Sequence, residues 1–362
     1  MSIDTQRERS PERELDTSLD AMPVIRGQLP RWSPWVGLVA VVLIVGGVLS
    51  ATGLSIGLFA VVSAVVYAVG MYTASRVVEG PRKATDRLVT IIVTAAFLVA
   101  LIPLVSVVYT VVSEGLSRFD AEFFNSSMLG IVGEGGGAYH AVMGTLIITG
   151  LAAAMSIPVG LLTAIYLVEY GKGRLARAIT FFVDVMTGIP SIVAGLFAFA
   201  LFALFFGPGV RMGFAGAVAL SVLMVPVVVR STEEMLKIVP NELREASFAL
   251  GVPKWRTILK VVLPTSVAGI ATGVTLAIAR VMGETAPLLV TVGLATGMNL
   301  NPFDGRMATL PVFAYYSYVS PGVPREPSLE RAWTAALVLI MIVMALNLLA
   351  RLISRVFAPK TR

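Results

Sequence analysis

Long apolar segments alternate with short charged segments along most of the chain. The apolar segments cover about 35–51, 54–73, 88–112, 140–168, 181–206, 214–230, 264–292 and 333–353. Most of them reach the roughly 20 residues that a helix needs to cross a bilayer. Their apolar residues are continuous rather than alternating, which favours helices over the strands of a membrane barrel.

The first two apolar segments nearly touch. One helix over 35–73 would run about 58 Å at 1.5 Å per residue, nearly twice the roughly 30 Å of a hydrocarbon core. A hairpin that turns near Thr52 and Gly53 fits better. The pattern therefore predicts an all-α, polytopic membrane protein with about eight spans.

Composition supports a membrane protein and argues against several other classes. Hydrophobic residues make up 56% of the 362 positions and charged residues 14%, against roughly 25% charged residues in soluble domains. The net charge of +6 would suggest nucleic-acid binding in a soluble protein. Here the basic residues flank the spans, as they do at cytoplasmic ends of membrane helices. The expected partner is therefore a lipid bilayer and not a nucleic acid. With no cysteine and a single histidine, His140, neither a metal site nor another cofactor is expected.

Charged loops set the expected orientation. Lys and Arg concentrate in 74–87, in 169–178, in 230–260 and at the C-terminus, whereas 113–139 is mainly acidic. With eight spans and cytoplasmic N- and C-termini, every basic segment lies on the cytoplasmic side of the cell membrane.

The same pattern divides the chain into parts. Residues 1–33 carry too many charges for a secretory signal and are predicted to form a disordered cytoplasmic tail. An extra N-terminal transmembrane hairpin (34–75) precedes a linker with the third span and an outer loop (76–135). A membrane core (136–356), with a cytoplasmic loop at 240–264, is followed by a short cytoplasmic tail (357–362).

Several spans contain internal prolines: Pro158, Pro190, Pro226 and Pro287. Proline breaks a helix in water, but a membrane bundle tolerates it where neighbouring groups satisfy the freed carbonyls. These prolines either mark broken helices beside a passage or are simple kinks. The small-xxx-small pair Gly269 and Gly273 either allows a close helix contact or is a chance match.

The segment 245–264 interrupts the apolar pattern with an amphipathic one. Asn241 is predicted to cap a first helix, which Gly251 can end in the left-handed conformation. A second helix then follows, with an apolar stripe formed by Trp255, Ile258, Leu259 and Val262. Two such helices either lie on the lipid surface or dock into a groove on a soluble partner.

The spacing of this segment resembles the pattern E-A-A-x3-G-x9-I-x-L-P, the cytoplasmic coupling loop of ABC importer permeases. The matching residues are Glu245, Ala246, Ser247, Gly251, Val261, Leu263 and Pro264, with Ser247 in place of Ala and Val261 in place of Ile. In that family the loop seats in a cleft of the ATPase subunit. The resemblance implies that 240–264 is an ATPase coupling loop and that 136–356 is a MetI-like permease core.

The apolar segment after this loop contains two ionisable residues, Arg280 and Glu284. In one helix they would share a face, and Arg280, roughly 24 Å beyond Pro264, would lie well inside the bilayer. An isolated arginine there costs on the order of 3 kcal/mol, which makes it a functional candidate. The two residues either neutralise each other or border a wet passage for an anion, which the guanidinium group suits.

The string RVMGETAPLL (280–289) resembles the phosphate ABC importer permeases of the PstA type, in which G-E-T-A-P is characteristic. Further matching strings are GGAYHAVMGTL (136–146), IPVGLLTAIYLVEYG (157–171), FVDVMTGIPSIVAGLF (182–197) and ATLPVFAYY (308–316). The resemblance implies a phosphate pathway at Arg280, Glu284 and Thr285. It also implies a second, PstC-type permease, a PstB-type ATPase dimer and a phosphate-binding protein as partners. Permeases of this type have about six spans, so the resemblance does not reach the hairpin 34–75.

Other functions stay open at this level. A permease for molybdate, sulfate or phosphonate would share the coupling loop, and a secondary carrier would commonly show internal repeats. The glycine-rich string GEGGGAYH (133–140) lacks the Gly-Lys-Ser/Thr of a phosphate-binding loop, so ATP hydrolysis is expected of a separate partner and the chain is not expected to be an enzyme. His140 is expected to be an interfacial residue rather than a phosphate contact, and Asp184 to pair with Arg177 or Arg230.

Overall fold

A computed structural model describes residues 27–50 and 56–357, and this part of the chain is helical without strands. The predicted N-terminal tail up to residue 26, the predicted turn at Thr52 and Gly53, and residues 358–362 lie outside the described residues. The chain divides into two compact units, Met1–Ser106 and Val107–Arg362. The division falls within the third long helix, whereas the sequence places boundaries after residues 75 and 135.

The first unit contains α1 (Ser33–Ser50), α2 (Ile56–Val78) and most of α3 (Pro81–Gly115). α1 packs antiparallel to α2, since Gly37 near the beginning of α1 faces Tyr67 and Met71, whereas Gly46 near its end faces Phe59. Many large apolar side chains of the three helices are exposed, as expected for surfaces that face lipid.

A polar cluster closes the corner between α2 and α3. The Arg87 guanidinium donates two hydrogen bonds to the Glu79 carboxylate, at 2.7 and 2.9 Å, and the Ser75 hydroxyl donates a third at 2.7 Å. The hydrogen bonds from Arg87 are the main reason that the pKa of Glu79 falls to about 2. Glu79 is therefore ionised and held at this corner.

The second unit begins with the end of α3 and continues through eleven helices within its described residues. These are α4 (Ala121–Asn125), α5 (Tyr139–Ile165), α6 (Arg174–Thr187), α7 (Ser191–Phe206), α8 (Gly213–Ile238), α9 (Asn241–Ala249), α10 (Lys254–Thr257), α11 (Leu263–Met282), α12 (Ala286–Thr291), α13 (Leu310–Val319) and α14 (Glu326–Phe357). Two π-helical turns extend the regular helices: Tyr166–Tyr170 prolongs α5, and Ile258–Val262 joins α10 to α11.

α8 lies at the centre of the second unit, and 56% of the residues in its most apolar 18-residue stretch are buried. The neighbouring helices approach it closely at glycines. A Cβ atom at Gly160 of α5 or at Gly273 of α11 would lie only 2.6 Å from the side chain of Val228 or Ser231, and Gly269 faces Met235 in the same way. The small-xxx-small pair is therefore a real helix contact and not a chance match.

Six described helices are long and apolar enough to cross a membrane, and α6 with α7 would make a seventh if the bent pair counts as one span. The all-α fold class is confirmed, but the prediction of about eight spans is too high. The difference arises because α1 is shorter than a typical span and because α6 and α7 meet at 106°. Hydropathy alone cannot detect the bend between α6 and α7.

The four prolines do not behave alike. Pro158 and Pro226 lie inside the continuous helices α5 and α8. Pro190 and Pro287 stand at the beginning of α7 and α12, directly after helix breaks. Thus Pro190 and Pro287 mark broken helices, whereas Pro158 and Pro226 interrupt none.

A buried cluster covers the beginning of α5. It is formed by residues of α4, α5, α13 and α14, among them Phe123, Ala138, Leu310 and Phe313. His140 belongs to this interior, because it is only 1% exposed and its ring lies edge-on to that of Phe313 at 5.6 Å. The prediction that His140 is an interfacial residue is wrong, since these helices enclose it.

Candidate functional site

Two helix breaks meet at one cavity in the second unit. The first, at 188–190, separates α6 from α7, and the second, at 283–285, separates α11 from α12. The cavity between them has a volume of about 170 Å³, and its lining includes Thr187, Ser191, Pro226, Arg280 and Glu284. Irregular backbone at membrane depth is tolerated where it lines a cavity of this kind.

Arg280 and Glu284 reach this cavity from different backbone environments. α11 ends at Met282, where Gly283 donates its N–H to the Arg280 carbonyl, and Glu284 lies in the break. The prediction that both residues share one helix face, and that one span covers 264–292, is therefore wrong. Pro287 explains the break, because it has no N–H to donate and its ring clashes with the carbonyl four residues earlier.

The two charges do not neutralise each other by contact. Among the ion pairs of the described residues, none includes Arg280 or Glu284. Arg280 is exposed in this chain and Glu284 is half-buried, yet both line the same cavity. Of the two interpretations that the sequence allows, the structure therefore does not support mutual neutralisation by an ion pair.

Thr285, the third predicted pathway residue, occupies a different position. It is the N-cap of α12, its carbonyl accepts the Leu289 N–H at 2.9 Å, and its side chain makes no capping hydrogen bond. It is half-buried and is not among the residues that line the cavity. The structure thus brings together two of the three predicted pathway residues.

Close packing fixes the short helix α12 between α7 and α8. A Cβ atom at Gly195 of α7 would lie 2.6 Å from the Cα atom of Pro287, and one at Gly216 of α8 would lie 3.0 Å from the Leu288 side chain. Real Cβ atoms do not tolerate such approaches to backbone. The two glycines therefore allow the position of α12 that places Glu284 in the cavity.

A charge cluster ties α6 to α8 near the same cavity. Arg230 pairs with Asp184 of α6, and it also donates to Glu233 at 2.8 Å, while Lys237 donates to Glu233 at 2.7 Å. Of the two partners that the sequence allows for Asp184, the structure selects Arg230 rather than Arg177. The role of Glu233 was missed, although its spacing of three and four residues from the two cations is a helix-pair signal.

A helical hairpin, Asn241–Thr257, projects between α8 and α11. α9 ends at Ala249, and Gly251, which follows the C-cap residue Leu250, has a φ of +73° and donates its N–H to the Phe248 carbonyl at 2.9 Å. This left-handed glycine is the helix end that the sequence predicts. Asn241 is not the N-cap, because Pro240 occupies that position and Asn241 is the first helical residue.

The second helix of the hairpin does not end before the next span. α10, the π-helical turn and α11 form one continuous helix from Lys254 to Met282. Leu263 donates its N–H to the carbonyl five residues earlier, directly before Pro264, which has no N–H. A π-helical turn at this point lets the helix continue through the proline.

The predicted apolar stripe of this helix divides between two environments. Ile258 and Val262 are buried, whereas Trp255 and Leu259 are more than half exposed. The first helix of the hairpin exposes Leu243, Phe248 and Leu250, the last of these 83%. The hairpin thus exposes four large apolar residues, Leu243, Phe248, Leu250 and Trp255, and Leu259 is exposed in the π-helical turn that follows it.

The residues of the coupling-loop pattern are distributed around this hairpin. Glu245, Ala246, Gly251 and Pro264 are exposed, and Leu263 is half-buried. Ser247 is buried and forms a hydrogen bond of 2.8 Å with the hydroxyl group of Thr257, the last residue of α10. The departure from Ala at this position thus adds a polar link between the two helices of the hairpin.

Arg244 anchors the hairpin to the helix ends beside it, a role that the sequence did not indicate. Its guanidinium pairs with Glu169 at 2.9 Å and donates to the carbonyls of Leu236 and Val239 at 2.9 and 2.6 Å. Glu169, in the π-helical turn after α5, is buried, and its backbone carbonyl accepts from Lys254. The anchor therefore connects α9 and α10 to the ends of α5 and α8.

Comparison with known proteins agrees with this architecture. Residues 156–362 match the family model described as the binding-protein-dependent transport system inner membrane component. One chain of a bacterial alginate ABC transporter, solved with its alginate-bound periplasmic protein, superimposes with a TM-score of 0.55 over 77% of this chain and 97% of its own. At 14% sequence identity this similarity shows the fold alone.

More similar sequences define the type of permease. The phosphate transport system permease protein PstA 1 of Mycobacterium tuberculosis is 46% identical over 284 residues, which cover 78% of this chain and 91% of that protein. The PstA protein of Yersinia pestis is 37% identical over 77% of this chain and 92% of its own length. The chain therefore belongs to the binding-protein-dependent inner membrane transport components, as a permease of the PstA phosphate transport family.

Proposed function

We propose that this chain is a transmembrane subunit of an ATP-driven importer and that it conducts inorganic phosphate into the cell. The observation that carries the proposal is the pair Arg280 and Glu284, which line one cavity between two helix breaks without forming an ion pair. The planar guanidinium group of Arg280 suits an oxyanion. The named relatives are phosphate permeases, which favours phosphate over molybdate, sulfate or phosphonate.

The passage needs a second wall. Arg280 is exposed in this chain and thus available to another subunit. A PstC-type permease paired with this chain would enclose the cavity and keep the charged residue out of contact with lipid. A phosphate-binding protein would deliver the anion on the outer side.

The hairpin Asn241–Thr257 is the proposed docking site for a PstB-type ATPase dimer. It exposes the large apolar side chains of Leu243, Phe248, Leu250 and Trp255, Leu259 is exposed in the turn that follows, and exposed charged residues lie among them in the sequence. Amphipathic helices of this kind dock into grooves on partner proteins. ATP hydrolysis then belongs to the partner, and the hairpin with both chain termini lies on the cytoplasmic side.

Uptake of radiolabelled phosphate in a strain that lacks this gene tests the proposal. The wild-type chain should restore uptake, and excess sulfate or molybdate should not reduce it. Arg280→Ala should lower uptake by about 10- to 100-fold, because a hydrogen bond to a charged group contributes about 1.5–3 kcal/mol. Arg351→Ala, which removes an exposed arginine of α14, is the matched control and should transport normally.

Two results would overturn the proposal. Normal phosphate uptake by an Arg280→Ala complex would remove the arginine from the anion path. Equal competition by sulfate or molybdate would favour a general oxyanion permease instead. Co-purification of the partner subunits with each variant separates loss of transport from loss of assembly.

A further inference from the structure

A second cavity, of about 250 Å³, lies at the beginning of α5. It shares no lining residue with the cavity at the helix breaks. Its polar lining residues include His140, Thr296, Ser317, Ser320, Ser328 and Arg331. Such a concentration of hydroxyl, imidazole and guanidinium groups is unusual inside a unit built mainly of apolar helices, and buried polar groups normally have partners.

Arg331 is a buried cation without an acidic partner at contact distance. It is 3% exposed, and its guanidinium donates to the carbonyls of Gly133 and Gly135 at 2.8 and 2.9 Å and to the Ser328 hydroxyl at 3.2 Å. None of the ion pairs in the described part of the chain includes it. A guanidinium group has five N–H donors, so these bonds leave donors free. Glu330 acts on the charge of Arg331 electrostatically, but within the described residues no carboxylate forms an ion pair with it.

His140 adds an unpartnered group to the same cavity. Its side chain is 1% exposed, and within the described residues neither ring nitrogen has a hydrogen-bond partner. The backbone of Ala295 lies beside the ring, and even a bond there would leave the second nitrogen free. A buried imidazole normally has a hydrogen-bond partner, so the two ring nitrogens of His140 can bind a hydrogen-bonding group that enters this cavity.

We propose that this cavity binds a tetrahedral oxyanion between His140 and Arg331. An oxyanion would place a negative charge beside Arg331, and its oxygens would accept hydrogen bonds from the free N–H groups of the guanidinium. Such charge-assisted hydrogen bonds between arginine and an oxyanion are among the strong ones in proteins. A protonated oxyanion such as hydrogen phosphate can also both donate to and accept from an imidazole nitrogen. The first turn of α5, which contains His140, adds the positive end of a helix dipole.

The anion site follows from the cavity itself, whereas its assignment to phosphate rests on the proposed function. In that function the cavity is a second phosphate subsite, separate from the one at Arg280. The glycine-rich string 133–140, which is not an ATP-binding motif, positions Arg331, because the carbonyls of Gly133 and Gly135 accept hydrogen bonds from its guanidinium.

Anion binding to the purified complex with its partner subunits in lipid nanodiscs tests the site. All variants carry Arg280→Ala, so that binding at the helix-break cavity does not contribute. Thermal unfolding is followed in potassium phosphate, sulfate or chloride at equal ionic strength. A ligand at free concentration c that binds the folded state stabilises it by RT ln(1 + c/Kd), so the melting temperature rises with ligand concentration, and a weaker site needs more ligand for the same rise.

His140→Leu should need at least about tenfold more phosphate for the same stabilisation, because it loses a hydrogen bond to a charged group. His140→Gln, which retains a donor and an acceptor, should lie between His140→Leu and the parent. Tyr139→Phe is the matched control, since Tyr139 adjoins His140 but does not line the cavity, and it should behave as the parent. Arg331→Lys, which keeps the charge but loses the planar fork, should weaken binding in the same direction.

An unchanged phosphate dependence in His140→Leu would overturn the proposal, as would equal stabilisation by chloride and phosphate. If Arg331→Lys fails to assemble, the two His140 variants still decide the question. Failure of phosphate uptake by the wild-type chain, with phosphate binding retained, would refute the transport function and leave the anion site in place. Phosphate uptake that depends on Arg280, with no phosphate binding at His140, would refute the second anion site and leave the transport function in place.

Discussion

Replacement of Arg244 by methionine should release the hairpin Asn241–Thr257 from the helix ends that hold it. The change removes the ion pair with Glu169, whose side chain is 5% exposed, and leaves the carbonyls of Leu236 and Val239 without this donor. Breaking a buried pair on one side costs about 3–5 kcal/mol. Since about 1.4 kcal/mol is a factor of ten, the population of the released hairpin should rise by roughly 100- to 3,000-fold.

Hydrogen exchange of the purified complex measures this effect directly. The amides of α9 should exchange faster in Arg244→Met, while those in the centre of α8 should keep their protection, because the opening is local. Arg256→Met is the matched control on the same hairpin. Arg256 is exposed and lies over the ring of Trp255 at 5.2 Å, so its loss should change stability by no more than about 0.5 kcal/mol.

A double variant tests the physical reason. If the penalty comes from the uncompensated carboxylate, Arg244→Met with Glu169→Gln should recover much of the protection that Arg244→Met loses. Exchange in the double variant as fast as in the single variant would refute the charge argument. Normal protection in Arg244→Met itself would refute the role of Arg244 as an anchor.

Two further predictions concern other parts of the chain. Gly195→Ala should lower the free energy of unfolding by about 1–3 kcal/mol and reduce phosphate uptake, because the new Cβ atom would lie 2.6 Å from Pro287. Gly150→Ala is the control, because a Cβ atom at Gly150 meets open space. Equal effects of the two substitutions would contradict the packing argument. Arg87 holds the pKa of Glu79 at about 2, below the usual 4.5, so this contribution to stability is present above pH 4.5 and is lost as the pH falls towards 2. Glu79→Gln should therefore speed hydrogen exchange at the α2–α3 corner at pH 7 but not near pH 2, and a difference that is independent of pH would contradict the assignment.

Local signals were sufficient for several elements of this structure. The continuous apolar segments predict helices, and a glycine after an amphipathic helix predicts the turn at Gly251, because both depend only on neighbouring residues. The break after Met282 could not be predicted in this way. Apart from Arg280 and Glu284 the segment 264–292 is mainly apolar, so hydropathy shows no break. Proline is an ambiguous signal, since Pro226 lies inside a continuous helix whereas Pro287 follows a break.

Contacts between residues far apart in the chain were beyond sequence reasoning. The charges of Glu169 and Arg244 were interpreted as signs of orientation, yet the fold brings them to an ion pair across 75 positions. His140 and Arg331 likewise gave no local signal, because the cavity that they share exists only after α5 and α14 have packed. Spacing within one helix can be read from a sequence, but the identity of a buried partner on another helix cannot.

The continuous helix from Lys254 to Met282 supplies a physical link between the hairpin and the cavity. It begins within the hairpin and carries Arg280 in its last turn, about 40 Å away at 1.5 Å per residue. Gly269 and Gly273 hold its middle directly against α8, so this part cannot move independently of the core. A displacement of the hairpin then has two possible outcomes. It can move α11 together with α8, which changes the cavity that both helices line. Alternatively, the helix can bend at the π-helical turn Ile258–Val262, where the regular hydrogen bonding is already interrupted. Motion at the hairpin therefore reaches Arg280 only if the helix after this turn moves with it. The close contacts of Gly269 and Gly273 with α8 favour transmission of this motion to the cavity.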